Sequence, residues 1–234
     1  MMGPEKLILF DIDGTLLVID TLADLAFRAM TKKVYKIECS FKEINYSGMT
    51  DPQILEEVLK QRGIEDETIA AHYEQAIEAY CAYFDYFARG NSYHVTVCPG
   101  IIPLLSSLVL MPEMRIAILT GNLEYTGWKK LELAGLKQYF AFGAFGSDSK
   151  VRSELVGIAL KRAERDYETA FIAKNVIIIG DSPHDVQCGK PYGVTSIAVA
   201  TGHSSIEDLR RYEPDHVFQD LSDYQHVIEV IKNT

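Results

Sequence analysis

Two acidic residues follow an apolar run near the amino terminus. Asp11 and Asp13 come after the run Leu7–Phe10, which is typical of a buried strand. Gly14 then allows a sharp turn. Ligands bind at the carboxyl ends of strands in open α/β sheets, and two carboxylates this close need a cation or a shared proton. The segment therefore predicts a site for a metal ion, a phosphate group or both.

These two acids can divide the work of phosphoryl transfer. An ionised aspartate beside a divalent cation can attack phosphorus, which gives an aspartyl-phosphate and splits one hard step into two. Asp11 is the candidate for this nucleophile. Asp13 can give a proton to the leaving oxygen and later take one from water.

Polar residues of the same kind follow two later apolar runs. Thr120 ends the first, and its hydroxyl can donate to a phosphoryl oxygen, with Gly121 and Asn122 also expected to bind substrate. Asp181 and Asp185 follow the second run. This pair suits Mg²⁺, which usually takes one or two carboxylates together with the substrate phosphate. Three strand ends thus predict a phosphoryl-transfer site with Mg²⁺ as cofactor.

The elements that position these residues alternate between strands and helices. Strands are predicted at 7–10, 115–121, 176–181, 195–200 and, as a short fifth candidate, 216–218. Helical apolar spacing is found at 101–110, 125–134, 154–165 and 205–211. The alternation predicts an α/β fold with a mostly parallel, Rossmann-like sheet that helices cover on both faces.

One stretch breaks this alternation. Roughly from Ile19 to Val95 the apolar residues recur with helical spacing, and no strand is predicted. The stretch is too long for an ordinary crossover connection. We predict an all-helical domain at 18–95, inserted into a core domain formed by 1–17 and 96–234.

Composition limits the partners of the chain. Its 234 residues carry a formal net charge of −10, which argues against nucleic acid or an anionic membrane surface as the main partner. There is no membrane-length apolar stretch and no signal-peptide layout at the amino terminus. The four cysteines are scattered without a CxxC pair, which is typical of reduced thiols. A cytoplasmic protein is expected.

The order and spacing of these motifs resemble the haloacid dehalogenase superfamily of hydrolases, in particular its phosphoglycolate phosphatase-like group with a helical cap. The family motif Asp-x-Asp-Gly-Thr is matched by 11–15, the second motif by Thr120, and the motif Gly-Asp-x-x-x-Asp by 180–185. The resemblance implies that Asp11 is the nucleophile and a metal ligand, and that Asp13 is the acid/base with its backbone carbonyl on Mg²⁺. It also implies that Asp181 is a metal ligand and Asp185 a ligand or the partner of one.

The third family motif is where this chain departs from the pattern. Many relatives carry a lysine followed by Pro-x-Pro, and those prolines are not found here. A cation is still needed to balance the phosphoryl charge, and the candidates are Lys150 and Arg152. Arg152 resembles the arginine variant of the family and is preferred, with Lys150 as the alternative. Arginine and lysine are not equivalent at a phosphate site, so one of them should matter much more.

The loop 48–51 within the predicted insertion has two interpretations. In the resembling families a cap loop lies over the active site and helps to select the substrate, which makes Gly48 and Thr50 candidates for substrate binding. The alternative is a helix cap, in which Thr50 or Asp51 holds the following helix.

We therefore expect a Mg²⁺-dependent phosphatase that hydrolyses a phosphomonoester of a small metabolite through an aspartyl-phosphate. Asp13 points to phosphate esters, because by resemblance the dehalogenases and phosphonate-cleaving relatives lack this acid. The alternatives are a phosphomutase of the β-phosphoglucomutase kind and a non-catalytic protein that binds a phosphorylated metabolite. The sequence does not name the metabolite, and either a monomer or a homodimer is compatible with it.

Overall fold

The computed structural model describes residues 5–90 and 93–234. Within these ranges the chain forms eight strands: β1 (Lys6–Phe10), β2 (Leu17–Ile19), β3 (Val95–Val97), β4 (Met114–Thr120), β5 (Gly143–Phe145), β6 (Val176–Gly180), β7 (Thr195–Val199) and β8 (His216–Phe218). The same ranges contain nine α-helices: α1 (Leu22–Val34), α2 (Asp51–Gln61), α3 (Asp66–Ala88), α4 (Ile101–Leu108), α5 (Glu124–Leu133), α6 (Arg152–Tyr167), α7 (Pro183–Cys188), α8 (Ile206–Arg210) and α9 (Tyr224–Asn233).

Six strands form one parallel sheet in the order β5-β4-β1-β6-β7-β8. In this sheet β1 pairs with β4 and β6, so that Leu9 lies opposite both Ala117 and Ile178. Every residue of β1 is buried. A strand that is covered on both faces needs apolar side chains on both, which explains its nearly continuous apolar run. The predicted α/β fold is confirmed.

Side-chain alternation along β1 divides the core into two hydrophobic clusters. Ile8 and Phe10 belong to a cluster that includes residues of α4 and α9. Leu7 and Leu9 point to the opposite face and belong to a cluster that includes residues of α6. Because both faces of the sheet are covered, its polar groups are left at the carboxyl ends of the strands.

The stretch between β2 and β3 is helical, as predicted. We call α1, α2, α3 and their connecting loops, within residues 20–90, the helical insertion. It buries a hydrophobic cluster separate from those on the sheet, with Leu22, Met30, Leu59 and Phe84 among its most buried members. Leu123, just before α5, also belongs to this cluster, so the insertion packs against the core as well as within itself.

A two-stranded ribbon at the base of the insertion corrects one prediction. β2 and β3 pair antiparallel, with Leu17 opposite Val97 and Ile19 opposite Val95. The expectation that 18–95 is all helical is therefore corrected only at its two ends, because β2 and β3 overlap the stretch from Ile19 to Val95 only at those two residues. Each strand has only three residues of mixed burial, too few for a recognisable periodicity. The ribbon connects the helical insertion to the sheet, and the predicted domain boundaries fall inside it.

The remaining elements agree with prediction, with three omissions. The four predicted core helices correspond to α4, α5, α6 and α8, and their ends differ by at most two residues. β5, α7 and α9 were not predicted; β5 is a three-residue edge strand that begins with glycine, and α7 has only six residues. None of the helices in the described part of the chain could span a membrane. The prediction that the amino terminus has no signal-peptide layout rests partly on residues 1–4, which lie outside the described part of the chain.

Candidate active site

Three neighbouring strands bring the sequence-predicted residues to one edge of the sheet. Asp11 follows β1, Thr120 ends β4 and Asp181 follows β6, and β4, β1 and β6 are adjacent. All three residues are buried. The amide of Asp11 still donates to the carbonyl of Ile179 at 3.0 Å, so this residue is held by the sheet. Parallel pairing therefore places residues that are far apart in sequence around one point.

Three carboxylates at this edge lie close enough to share a cation. Asp11, Asp181 and Asp185 each offer one oxygen, and these oxygens lie within 4.8 Å of one another. Burial raises the pKa of Asp11 to about 7, a shift that Arg152 opposes and Asp185 and Asp13 reinforce. Burial also raises the pKa of Asp181 well above its usual range, with Asp185 and Asp11 adding to the shift. A divalent cation would relieve this accumulated negative charge.

Small residues let the backbone approach Asp181 closely. A Cβ on Gly14 would lie 2.5 Å from Asp181 Oδ2, and a Cβ on Gly202 would lie 1.7 Å from the same oxygen. The hydroxyl of Thr15 donates to Asp181 Oδ1 at 3.2 Å. Gly14 has a φ of +79°, as its predicted turn requires, and it also leaves room for this carboxylate.

The two cation candidates occupy different environments. Arg152 is the first residue of α6, and its Nη2 lies 3.2 Å from Asp11 Oδ1 and 2.5 Å from Asp185 Oδ1. Although burial lowers the pKa of Arg152, these two carboxylates raise it above its usual value. The Lys150 side chain is 61% exposed, and its Nζ pairs with Glu56 Oε2 at 3.1 Å. The structure thus brings Arg152, but not Lys150, to the acidic cluster.

Asp13 belongs to a polar network with a lysine that sequence reasoning missed. Lys130, from α5, places its Nζ 2.6 Å from Asp13 Oδ2 and donates to Asn122 Oδ1 at 2.6 Å. Asn122 Nδ2 donates to Asp13 Oδ2 at 2.7 Å and to Thr120 Oγ1 at 2.8 Å. Because Thr120 Oγ1 accepts this bond, its own proton is available for another acceptor. Lys130 follows Lys129 in a helix without a motif, so no sequence signal distinguishes the buried lysine from its neighbour.

The loop 48–51 connects the helical insertion to this edge of the sheet. The carbonyl of Gly48 accepts from Arg152 Nη1 at 3.2 Å, and Thr50 Oγ1 donates to the carbonyl of Lys150 at 3.0 Å. Thr50 is also the N-cap of α2, where its hydroxyl accepts from the amide of Gln53. The loop therefore caps a helix and also contacts the core. Its role in substrate selection stays a prediction.

Asp51 and Gly121 bring the insertion and the core into contact. The amide of Asp51 donates to the carbonyl of Gly121 at 2.8 Å, and Asp51 Oδ2 accepts from the amide of Leu123 at 2.8 Å. A Cβ on Gly121 would lie 2.3 Å from the carbonyl oxygen of Met49, so a side chain would force these segments apart. Loss of hydration raises the pKa of Asp51 to about 6, although Lys130 opposes the shift.

A cavity of about 420 Å³ lies between the helical insertion and the strand ends. Asp11, Asp13, Thr120, Arg152 and Asp181 line it on the side of the sheet. Carboxylates, a hydroxyl and a guanidinium in one cavity can bind a phosphoryl group and move protons at its leaving oxygen. The volume suits a small molecule, and the sheet together with this edge defines a phosphoryl-transfer enzyme of the α/β class.

Comparison with known proteins identifies the family. Residues 8–199 match the model of the haloacid dehalogenase-like hydrolases, and the chain belongs to this family. It is 25% identical over 223 residues to the pyrophosphatase PpaX of Oceanobacillus iheyensis, with 93% of this chain and 94% of that protein covered. It is 24% identical over 234 residues to the phosphoglycolate phosphatase of Vibrio parahaemolyticus, with 96% of each covered.

A solved structure shows the same fold. The β-phosphoglucomutase of Clostridium difficile superposes with a TM-score of 0.70 at 18% identity, covering 99% of this chain and 98% of that one. A likeness at this identity shows the fold alone. The predicted family, fold and enzyme class, a phosphoric monoester hydrolase, are confirmed by these comparisons.

Proposed function

We propose that this protein is a Mg²⁺-dependent phosphatase that hydrolyses a small phosphorylated metabolite through an aspartyl-phosphate on Asp11. The observation that carries the proposal is the position of Asp11, which is buried between Arg152 and two further carboxylates at the edge of the cavity. The names of the two relatives, a pyrophosphatase and a phosphoglycolate phosphatase, agree with phosphoryl chemistry on small substrates.

The donor set fits Mg²⁺. Asp11, Asp181 and the backbone carbonyl of Asp13 would hold the ion, because hard cations prefer oxygen ligands and the buried acids carry unbalanced charge. Both oxygens of Asp185 already have partners, since Oδ1 accepts from Arg152 and Oδ2 accepts from Ser182. This favours Asp185 as the residue that orients Arg152, with direct ligation as the alternative. When bound, the ion neutralises acidic charge and polarises the phosphoryl group.

Two aspartates carry the bond changes. The carboxylate of Asp11 attacks phosphorus, while Asp13 protonates the oxygen of the departing alcohol. Asp13 then takes a proton from the water that hydrolyses the aspartyl-phosphate. Lys130 and Asn122 both bind Asp13 Oδ2, which leaves Oδ1 for proton transfer. These two residues therefore position the acid/base without touching the phosphoryl group.

Thr120 and Arg152 stabilise the phosphoryl oxygens. The Thr120 proton is available because its oxygen accepts from Asn122. Arg152 lines the cavity, and its Nη2 lies 3.2 Å from Asp11 Oδ1, so the guanidinium is next to the carboxylate that attacks phosphorus. Charged and hydroxyl donors in a dry site stabilise transition-state charge strongly.

The helical insertion acts as a cap over this chemistry. Its loop 48–51 reaches Arg152 through Gly48 and the core backbone through Thr50 and Asp51. Closure of such a cap keeps bulk water from the cavity while the first step takes place. We further propose a cytoplasmic enzyme, a monomer or a homodimer, that acts on metabolites and not on nucleic acid or membranes. The net charge of −10 and the four free cysteines support this assignment.

Phosphate release tests the proposal directly. The purified protein is given para-nitrophenyl phosphate and a panel of organic phosphates, with Mg²⁺ and with a chelator. We expect Mg²⁺-dependent release that Asp11→Asn abolishes, whereas Asp166→Asn, which removes an exposed charge from α6, leaves it unchanged. Release without any added sugar bisphosphate excludes an obligate phosphomutase. Binding of organic phosphates without release from any of them would contradict the proposal and favour a non-catalytic binding protein.

A further inference from the structure

Apolar side chains of the helical insertion form part of the cavity wall. Phe27 and Met30 from α1, Ile54 and Leu55 from α2, and Ile77 from α3 all line it. The first four are buried and belong to the hydrophobic cluster of the insertion, which therefore opens directly onto the site. In an in-line displacement the leaving alcohol departs from phosphorus on the side opposite Asp11. Because Asp11 follows a strand of the sheet, this alcohol must lie on the side away from the sheet. The helical insertion therefore supplies its surroundings.

The cations that line the cavity already have partners or lie in solvent. Among the described residues, the lysine and arginine side chains of the lining are Lys42, Lys130 and Arg152. Arg152 pairs with Asp11 and Asp185, and Lys130 is bound by Asp13 and Asn122. Lys42 is exposed, and a hydrated surface ammonium contributes little to binding.

Acids occupy the insertion side of the same cavity. Asp24 lines it and is held by Arg28, whose Nε donates to Asp24 Oδ2 at 2.8 Å, and by Ser40. Asp51 lines it from the start of α2. A second anionic group on the substrate would have to lie near these carboxylates, without a buried cation to compensate its charge. Burying such a group unpaired is costly.

We infer that the alcohol released from the substrate is uncharged and has an apolar body. The inference rests on the proposed phosphatase function and adds the class of substrate. An aliphatic or aromatic alcohol contacts the wall formed by Phe27, Met30 and Ile54 and gains by leaving water. Tyr80, which is buried and lines the cavity, offers its hydroxyl as a polar contact. Esters whose leaving group carries a carboxylate or a phosphate are disfavoured.

A matched substrate panel tests this inference. Phosphoglycolate and n-propyl phosphate are similar in size but differ in the charge of the alcohol, whereas benzyl phosphate adds an apolar ring and pyrophosphate adds a second phosphate. With saturating Mg²⁺, we expect kcat/KM for the propyl and benzyl esters to exceed that for phosphoglycolate and pyrophosphate by at least about tenfold. Equal or greater kcat/KM for phosphoglycolate or pyrophosphate overturns the inference and leaves the phosphatase intact. If no ester, including para-nitrophenyl phosphate, releases phosphate, the proposed function itself fails.

A cap variant locates the selectivity. Ile77 is only partly buried, so Ile77→Lys introduces an ammonium into the apolar wall with little risk to folding, and Ile77→Met is the uncharged control. We expect the lysine variant to move the ratio of phosphoglycolate to propyl phosphate towards phosphoglycolate by about tenfold, and the methionine variant to leave it unchanged. An unchanged ratio in Ile77→Lys, with normal thermal unfolding, would show that this wall does not contact the alcohol.

Discussion

Replacing Arg152 should cost far more activity than replacing Lys150, although only Val151 separates them in sequence. Arg152 is buried and lies 3.2 Å from Asp11 and 2.5 Å from Asp185. Removing a donor of this kind from a phosphoryl site lowers kcat by about 10² to 10³. Lys150 contacts only Glu56 with its Nζ and is 61% exposed, so Lys150→Ala should change kcat by less than about twofold.

The same contacts determine the effect on stability. Arg152→Ala leaves Asp11 and Asp185 buried without their partner, and breaking a buried ion pair costs about 3–5 kcal/mol of unfolding free energy. Lys150→Ala removes an exposed pair, which is worth at most about 1 kcal/mol. Because the alanine variant of Arg152 could lose its fold, Arg152→Lys is the more informative change. It keeps the charge but has no planar fork with which to bridge two carboxylates.

The assay is kcat for para-nitrophenyl phosphate at saturating Mg²⁺, measured where circular dichroism shows each variant to be folded. Folded Arg152→Lys should be strongly impaired, and Lys150→Ala should match the wild type. The assignment of Arg152 as the phosphoryl cation would be refuted by wild-type kcat in folded Arg152→Lys. It would also be refuted if Lys150→Ala lost as much kcat as Arg152→Lys.

Three further substitutions test other parts of the site. Asp11→Asn should abolish phosphate release while raising the Tm of the metal-free protein, because burial already disfavours the Asp11 charge; a lower Tm would contradict that account. Lys130→Met leaves Asp13 Oδ2 with only Asn122 as its partner among the described residues and should lower kcat/KM about 10²-fold for alkyl phosphates, whose alkoxides need a proton, but less than tenfold for para-nitrophenyl phosphate. Equal losses for both esters would show that Lys130 has another role. Asp51→Asn should unfold in urea with about 3 kcal/mol more free energy than the wild type at pH 7.5, since the folded-state pKa of about 6 lies about two units above the unfolded value. Wild-type stability is lost as pH rises from about 4 through 6, so the advantage of the Asn variant should shrink towards pH 4, and a constant advantage would contradict the raised pKa.

The sequence was sufficient to predict the acids and the sheet. Buried parallel strands are apolar on both faces, so β1, β4 and β6 could be recognised as continuous runs. Asp11, Thr120 and Asp181 could then be expected together, because parallel strands present their carboxyl ends at one edge. By contrast, β2, β3 and β5 have three residues each and show too little periodicity to be found.

Which basic residues contact these acids could be seen only in the tertiary structure. Spacing alone left Lys150 and Arg152 as alternatives, and the start of α6 separates their environments by turning Arg152 inward and leaving Lys150 exposed. Lys130 and Lys129 are equivalent in sequence, and the packing of α5 buries only Lys130 deeply enough to reach Asp13.

Which insertion residues line the cavity was also decided by the fold. In sequence, the apolar residues of α1, α2 and α3 indicate only a helical core. In three dimensions Phe27, Met30 and Ile54 also line the cavity between the insertion and the sheet. Local sequence determines which residues are apolar or charged and with what period. Which side chains face one another across the cavity is determined by the docking of the insertion on the sheet, through contacts between residues distant in sequence such as Asp51 and Gly121.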